Sequence, residues 1–175
     1  GDGLLLCKAA DDRVGCWNML RLLDADVAGD TDFVFTCQEE VGCRGATGAA
    51  FRLMPEIAIA LEGTTANDAG DTPEAQKVCR VGKGVAISFM DHASIAQPDM
   101  FADMMQTAKA CGAAHQVKMS VSGGNEGGVM QRTGIGVRTC VLSVPCRYIH
   151  SPSTVIKLSD VESQFELTRA LLKEI

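Results

Sequence analysis

Two adjacent glutamates in the segment FVFTCQEEVGCRGA have the types and spacing that hydrolytic chemistry requires. Glu39 and Glu40 follow the apolar residues 33–37, which predict a buried strand. Because side chains alternate along a strand, the two carboxylates are expected to point in different directions. One could bind a metal ion while the other accepts a proton, as in metal-assisted hydrolysis. The alternative is a solvated charged turn after a strand, and the pair alone does not exclude it.

Three further residues suited to metal binding also follow apolar runs. Asp11, Glu62 and His150 each lie just past the end of a predicted strand. Sites in α/β sheets form outside the carboxyl ends of strands, so we expect these side chains near Glu40. Crowded carboxylates repel one another and a divalent cation removes that repulsion, with zinc, cobalt or manganese suiting this ligand set. The ordinary alternatives are a helix cap at Asp11, a loop charge at Glu62 and a structural histidine at His150.

The elements that must position these residues alternate between strand and helix. Apolar runs predict strands at residues 4–9, 33–37, 57–61, 85–90, 116–121 and 137–144, with a short extended piece at 154–158. Helical spacing, prolines and a capping box predict helices at residues 12–27, 46–54, 98–111, 126–132 and 159–173. This alternation predicts an α/β fold of three layers, with helices flanking a mixed, largely parallel sheet.

Composition narrows the class of protein. The chain has 175 residues, of which 46% are hydrophobic and 22% charged, as expected for one globular domain with a substantial core. Its formal net charge of -6 argues against a nucleic-acid partner. No run of residues resembles a signal peptide or spans a membrane, so we predict a cytoplasmic protein. The eight cysteines are then expected to be buried, reduced thiols, with a disulfide framework as the weaker alternative.

Four motifs, in order along almost the whole chain, resemble one known family. They are ADDRVGC, QEEVGCRGA, AIALEG with the later AGDTP, and VPCRYIHSP. Together they are similar to the cytosolic zinc aminopeptidases of the glutamyl and deblocking type, which include the tetrahedral aminopeptidases. The resemblance implies a zinc-dependent exopeptidase-like fold and hydrolysis of the first peptide bond of peptides with a free amino terminus.

The resemblance also implies a role for each candidate residue. Asp11 would bridge two divalent metal ions, zinc or cobalt and less often manganese, and its peptide bond to the next residue would be cis. Glu40 and His150 would complete one metal site, while Glu62 would belong to the second. Glu39 would be the general base that takes a proton from the attacking water.

The chain departs from the family pattern in two places. An upstream His-x-Asp segment and an inserted β domain of the family have no counterpart here, and His92 and His115 do not match the missing histidine. We therefore expect residues 1–175 to form one catalytic domain that corresponds to the C-terminal portion of the family chain, with one metal site incomplete. The family's Gly-Gly-Thr-Asp substrate loop is replaced by Gly123-Gly124-Asn125-Glu126, and a phosphate-binding loop is disfavoured there because no Lys-Ser or Lys-Thr follows.

Other functions remain open on the sequence. The missing histidine permits an incomplete, non-catalytic metal-binding module of the same fold. A third hypothesis is an endoglucanase that uses two carboxylates, although adjacent glutamates are poorly placed to flank a glycosidic bond. Expected partners are peptides with a free N-terminus, and either further copies of the chain or a missing upstream half.

Overall fold

The computed structural model of the chain describes residues 2–25, 27 and 29–175. Its α-helices are α1 (Ala10–Leu23), α2 (Arg44–Leu53), α3 (Pro98–Cys111), α4 (Gly127–Gln131) and α5 (Leu158–Glu174). Its strands are β1 (Leu4–Cys7), β2 (Ile57–Thr65), β3 (Val85–Ile87), β4 (His115–Val117), β5 (Arg138–Cys146) and β6 (Thr154–Lys157). A short 3-10 turn covers Glu74–Gln76.

Two sheets are present in the described part of the chain. The larger has the order β2-β5-β3-β4, with β2 parallel to β5, β3 antiparallel to β5, and β4 parallel to β3. The smaller pairs β1 with β6 in antiparallel fashion. The predicted mixed α/β fold is thereby confirmed, with β1 and β6 set apart from the main sheet.

The main core lies between β2, β5, β3 and the helices α3 and α5. Ile87 and Leu142 from the sheet pack against Met104 and Leu167 from those helices, and all four side chains are fully buried. Along β2, Ile59 and Leu61 pack against this core and alternate with side chains that point to the opposite face of the sheet. The helix α4 contacts β2 and β5. Glu62 belongs to the second set, so its carboxylate lies on the face of the sheet opposite to Ile59 and Leu61.

The predicted strand at residues 33–37 is wrong. Residues 31–36 have no regular secondary structure, and Val34 and Phe35 are exposed. A strand is held by ladder hydrogen bonds to a neighbour, and no strand in the described part of the chain pairs with this segment. An apolar run alone therefore predicted a strand that has no partner here.

Other boundaries also shift. The helix α1 ends at Leu23 rather than at the predicted Val27, and Asp26 and Ala28 lie outside the described residues. The strand β2 continues to Thr65, so Glu62 lies inside it rather than after its end. The strand is longer than its apolar run because β5 pairs with β2 along its whole length. The apolar run alone does not indicate how far such a partner extends the strand.

The outer side of α1 carries apolar side chains. Trp17, the single tryptophan of the chain, is 57% exposed, and Leu20 and Leu23 beside it are about as exposed. The inner side, by contrast, buries Val14 and Leu22. The helix is therefore apolar on two sides, of which the described part of the chain covers one. No helix in that part is both long and apolar enough to cross a membrane.

The cysteines divide into buried and accessible thiols. All eight are free. Cys79, Cys140 and Cys146 are buried as predicted, whereas Cys16 and Cys111 are exposed. Cys16 lies in α1 and Cys111 is the last residue of α3. Their apolar neighbours in sequence therefore did not indicate that these two thiols are buried. Cys37 is also exposed, in the segment that forms no strand.

Candidate metal centre

Three predicted ligands converge at one point. The Nε2 atom of His150 lies 3.3 Å from Oδ2 of Asp11 and 3.2 Å from Oε2 of Glu40. One potential ligand atom from each residue lies within 4.8 Å of the others. Two carboxylates and one imidazole at such separations can bind a single divalent cation. Residues far apart in sequence therefore form one possible metal site.

Asp11 is held where α1 begins beside β2. Its backbone has φ -83° and ψ 110°, so the first turn of the helix is kinked, and the peptide bond to Asp12 is cis. The backbone N–H of Gly63 donates to Oδ1 of Asp11 over 3.2 Å. A Cβ atom at position 63 would lie 2.9 Å from the Cβ of Asp11, so this approach requires glycine. The β2 strand thus positions the Asp11 carboxylate from behind.

Glu39 and Glu40 occupy a turn rather than the end of a strand. The N–H groups of Gly42 and Cys43 both donate to the carbonyl oxygen of Glu39, and Gln38 and Cys43 have positive φ. Glu40 points towards His150, whereas Oε1 of Glu39 accepts a hydrogen bond from the Cys43 thiol over 3.6 Å. The two carboxylates point in different directions, as expected. The cause is the turn that carries them, and not the alternation of side chains along a strand.

His150 lies in the turn that follows β5. Arg147, three residues earlier, donates from Nε and Nη2 to the two carboxylate oxygens of Asp68 over 2.7 and 2.9 Å. The backbone of Arg147 also exchanges hydrogen bonds with Val155. These contacts fix the start of the turn, and His150 itself has φ 61°. The imidazole is therefore positioned from a rigid strand end, although it is exposed.

Glu62 is buried without a hydrogen-bond donor. It is 6% exposed, and no described residue donates a hydrogen bond to its carboxylate. Burial, and then the charges of Asp12, Glu39 and Asp11, raise its pKa to about 10. Its oxygens are not closed off from solvent, since among the described residues Ser88 Oγ is the fully buried side-chain atom without a partner. A carboxylate with little solvent and no protein donor suits a bound cation. Glu62 is not among the three ligands that converge on one point.

The remaining acids of this region are also poorly satisfied. Burial raises the pKa of Asp12 to about 8, although the N–H of Gly15 donates to it over 3.0 Å. Burial is also the main cause of the raised pKa of Asp11 and of Glu39. No Lys or Arg of the described residues forms an ion pair with these acids. A divalent cation would relieve this repulsion, and the donor set therefore fits a metal ion.

The other predicted residues lie elsewhere or turn away. His92 is exposed, and Nδ1 of His115 lies 2.8 Å from the carbonyl oxygen of Ala113. Asn125 of the predicted substrate loop is buried, where its side-chain amide donates to Asp91 over 2.8 Å. Glu126 instead accepts a hydrogen bond from the hydroxyl of Thr36. Within the loop, Glu126 is therefore the side chain on the side of the acids.

Two contacts were missed in the sequence. The thiol of Cys43 reaches Glu39, and the hydroxyl of Thr36 reaches Glu126. Cys43 lies four residues after Glu39, so closeness in sequence was an available signal for that contact. The contact with Glu126 could not be anticipated, since it joins residues that are 90 positions apart.

The chain is similar to proteins of known family. A family model described as M42 glutamyl aminopeptidase matches residues 1–167. A lysyl aminopeptidase of Pyrococcus furiosus is 35% identical over 170 residues, which are 94% of this chain and 47% of that protein. The chain spans about half the length of the curated relatives it matches.

Solved structures agree with this similarity. An aminopeptidase from the archaeon Desulfurococcus kamchatkensis superposes with a TM-score of 0.95 and 31% identity, over 98% of this chain and 49% of that one. A TET1 peptidase of Pyrococcus horikoshii, described as able to assemble into a tetrahedron or a large octahedral shell, gives a TM-score of 0.84 and 28% identity. That match covers 98% of this chain and 51% of the other.

Proposed function

The chain belongs to the M42 glutamyl aminopeptidase family, and from that premise we propose that it supplies a metal centre and a general base for an aminopeptidase. The observation that carries the proposal is the convergence of Asp11, Glu40 and His150, with ligand atoms within 4.8 Å of one another. The reaction is hydrolysis of the first peptide bond of a peptide with a free N-terminus.

Four residues are proposed as metal ligands. Asp11, Glu40 and His150 hold one ion, and Asp11 with Glu62 contributes to a second. The orphan carboxylate of Glu62 supports the second assignment, because a cation would replace the hydrogen bonds it lacks. Zinc, cobalt or manganese suits three oxygen ligands and one nitrogen. When bound, such ions polarise a carbonyl group and lower the pKa of an attacking water.

Glu39 is proposed as the general base. Its carboxylate accepts the proton of the attacking water and donates it to the amine of the leaving peptide. Burial raises its pKa, which makes it a better proton acceptor than an exposed glutamate. The thiol of Cys43 donates to Oε1 and thereby orients the carboxylate. Glu39 can perform this task because Glu40, and not Glu39, faces His150.

The alternative function is a non-catalytic metal-binding module. The number of metal ions bound per chain distinguishes it from a peptidase. The second site has two proposed ligands in this chain, so it requires a further donor for tight binding. One tight ion with no turnover would favour the module, and two ions with turnover the peptidase. An endoglucanase is not favoured, because Glu40 faces Asp11 and His150 and is not free to act opposite Glu39 across a sugar.

The test combines metal binding with peptide hydrolysis. The purified chain is stripped with a chelator, titrated with zinc or cobalt, and assayed with one peptide in free and N-acetylated forms. We expect metal-dependent release of the first residue from the free peptide alone. Glu39→Gln is expected to bind metal normally and to lose at least about a hundredfold in rate. Equal cleavage of both peptides, or activity that survives chelation, would contradict the proposal.

A matched control separates the site from general effects on charge. Glu56 is exposed and forms no ion pair with any described residue. Glu56→Gln removes the same charge as Glu39→Gln and is expected to leave both metal binding and hydrolysis unchanged. Cytoplasmic location and assembly into homo-oligomers also belong to the proposal. The latter is supported by the assembly described for the P. horikoshii relative and is measured by light scattering.

A further inference from the structure

One acid outside the metal centre holds the segment that carries His150. Asp68 follows the end of β2, and its side chain is 5% exposed. Both of its carboxylate oxygens accept hydrogen bonds from the guanidinium group of Arg147, and Oδ2 also accepts one from the backbone N–H of Val81 over 3.0 Å. Burial alone would raise the pKa of Asp68, but these donors lower it below its ordinary value. The pair of Asp68 and Arg147 is therefore charged and has a defined geometry.

The turn that carries His150 has an unfavourable backbone conformation. The N–H of Ser151 donates to the carbonyl oxygen of Tyr148 over 3.2 Å, which places His150 at the third position of the turn. Tyr148 and His150 have φ values of 57° and 61°. Left-handed backbone is costly for residues other than glycine, and it persists where surrounding contacts impose it. The conformation of this turn therefore depends on contacts outside it.

Contacts of three kinds hold the turn. The N–H and C=O groups of Arg147 exchange hydrogen bonds with the backbone of Val155 over 2.9 and 3.0 Å. Ile149, inside the turn, packs against an apolar cluster that includes residues of α1. The third contact is the ion pair of Arg147 with Asp68. This pair differs from the other contacts, because one substitution removes it without changing the backbone or the apolar packing.

The second ring nitrogen of His150 has no protein partner among the described residues. Nε2 faces Asp11 and Glu40, and no described group lies within hydrogen-bond distance of Nδ1. A histidine that binds metal usually donates from its second nitrogen to a carboxylate, a carbonyl group or water, which fixes the ring. The side chain of His150 is also 61% exposed, so packing does not hold it. The orientation of this imidazole therefore depends on the turn and on the contacts that hold the turn.

We propose that Asp68 is a positioning residue of the metal centre, which acts through Arg147 to hold the imidazole of His150 beside the other two ligands. This inference rests on the proposed function and adds a residue that sets the metal affinity of the site. Asp68 is not one of the three residues whose ligand atoms converge, so its effect is indirect. Removal of a group that supports a metal ligand typically weakens metal binding by about ten- to a hundredfold.

A double-mutant cycle tests whether Asp68 acts through His150. Zinc affinity is measured by titration calorimetry for the wild type, Asp68→Asn, His150→Ala and the double variant. We expect Asp68→Asn to bind zinc about tenfold more weakly than the wild type. In the His150→Ala background, the same substitution should change zinc affinity by less than about twofold, because the group that it positions is absent. Circular dichroism of each metal-free variant shows whether it is folded.

Two further variants complete the experiment. Glu162→Gln is the matched control, since Arg21 also donates to both carboxylate oxygens of Glu162, and it should leave zinc affinity unchanged. Arg147→Lys keeps the positive charge but loses the paired hydrogen bonds to Asp68. It should cause a smaller loss of zinc affinity than Asp68→Asn, and this loss should also disappear in the His150→Ala background.

The outcomes separate this inference from the proposed function. Wild-type zinc affinity in both Asp68→Asn and Arg147→Lys would overturn the role of Asp68 and leave the metal centre intact. An equal loss with and without His150, or loss of the folded state in both variants, would assign the pair to the fold and also overturn it. If His150→Ala bound zinc as tightly as the wild type, His150 would not be a ligand, and the proposed function would be contradicted as well.

Discussion

Two groups of buried acids in this molecule have similar burial and opposite surroundings. Asp160 is fully buried and accepts backbone N–H bonds from Gly82 and Gly84 over 2.6 and 2.8 Å. Asp91 is 5% exposed and accepts hydrogen bonds from neighbouring backbone and side-chain donors. Glu62 is 6% exposed and accepts none from the described residues. Burial of an acid is therefore a poor sign of function, and the lack of a donor is a better one.

The difference separates acids with hydrogen-bond donors from the acids proposed to bind a metal ion. Donors directed at Asp91 and Asp160 satisfy their carboxylate oxygens and hold neighbouring loops in place. Burial nevertheless raises the pKa of Asp160, and its two backbone donors oppose that shift. The acids of the metal centre lack enough donors, which costs stability unless a cation binds. Removing one acid of each kind tests this difference.

The largest effect is expected from Asp11, which is proposed to be a ligand of both metal ions. Asp11→Asn keeps the acceptor for the N–H of Gly63 but removes the charge. Zinc affinity should fall by at least about a hundredfold in titration calorimetry, since ligands matter at least as much as the groups behind them. Asp160→Asn removes the same charge from a structural acid and should change zinc affinity by less than about twofold. Wild-type zinc binding by Asp11→Asn would end the distinction between the two groups.

Removing a structural acid should instead affect stability. Asp160→Ala leaves the N–H groups of Gly82 and Gly84 without their acceptor, and we expect a loss of about 2 kcal/mol in the free energy of unfolding. Urea unfolding of the metal-free protein measures it. Asp160→Asn keeps one acceptor oxygen and should lose less. A change below about 0.5 kcal/mol in Asp160→Ala would show that these bonds do not stabilise the fold.

The stability of the metal-free protein should fall as the pH rises, because the pKa of the buried acid Glu62 is raised. The pKa of Glu62 rises from 4.5 to about 10 on folding, so the folded chain binds more protons than the unfolded chain between these values. Stability of the metal-free protein therefore falls as the pH rises through this range, by at most about 1.4 kcal/mol per pH unit. We expect a lower Tm at about pH 8 than at about pH 5.

Two comparisons isolate the contribution of Glu62 to that slope. Added zinc should flatten it, because a cation favours the charged carboxylate. Glu62→Gln should also flatten it, since glutamine does not titrate. If the Tm of the metal-free wild type and of Glu62→Gln had the same pH dependence, Glu62 would not be the source.

The smallest effect is expected where an acid is exposed and paired. Arg21 contacts both carboxylate oxygens of Glu162 over 2.8 and 2.9 Å, and the Glu162 side chain is 53% exposed. Glu162→Gln should lower the free energy of unfolding by about 0.5 kcal/mol or less and leave zinc affinity unchanged. A loss above about 1.5 kcal/mol would mean that exposure does not weaken ion pairs in this protein.

The sequence predicted the composition of the site better than its geometry. Asp11, Glu40 and His150 were expected near one another because each follows a predicted strand and because motifs in family order contain them, and the structure brings them together. The strand predicted before Glu40 is absent, so the placement of Glu40 was right for a wrong reason. The environment of Glu62 could not be inferred, since it depends on how far β5 extends the ladder of β2. The turn around Glu39 was given only as an alternative, and its geometry could not be inferred because it depends on left-handed backbone at Gln38, a residue type that does not signal it.

The fold was predictable where an element depends on its own sequence. Helix α3 begins at its predicted start, Pro98, because a proline in the first turn is a local signal. Helix α5 begins one residue before its predicted start, but the predicted capping box is wrong, since the N-cap is Lys157 and no side chain caps the helix. The segment at residues 33–37 was predicted wrongly because a strand requires a neighbour, and apolar residues do not state whether one is present. Strand order and the separation of β1 and β6 are long-range properties for the same reason.

The exposed Trp17 gives the molecule an optical reporter of its own. It is the single tryptophan and lies on the outer, apolar side of α1, the helix whose first turn contains Asp11. Indole emission shifts to shorter wavelength when water is withdrawn from the ring, so any chain that settles on this helix would change the fluorescence spectrum without a label. An assembly that covers this helix can thus be followed in dilute solution by intrinsic fluorescence.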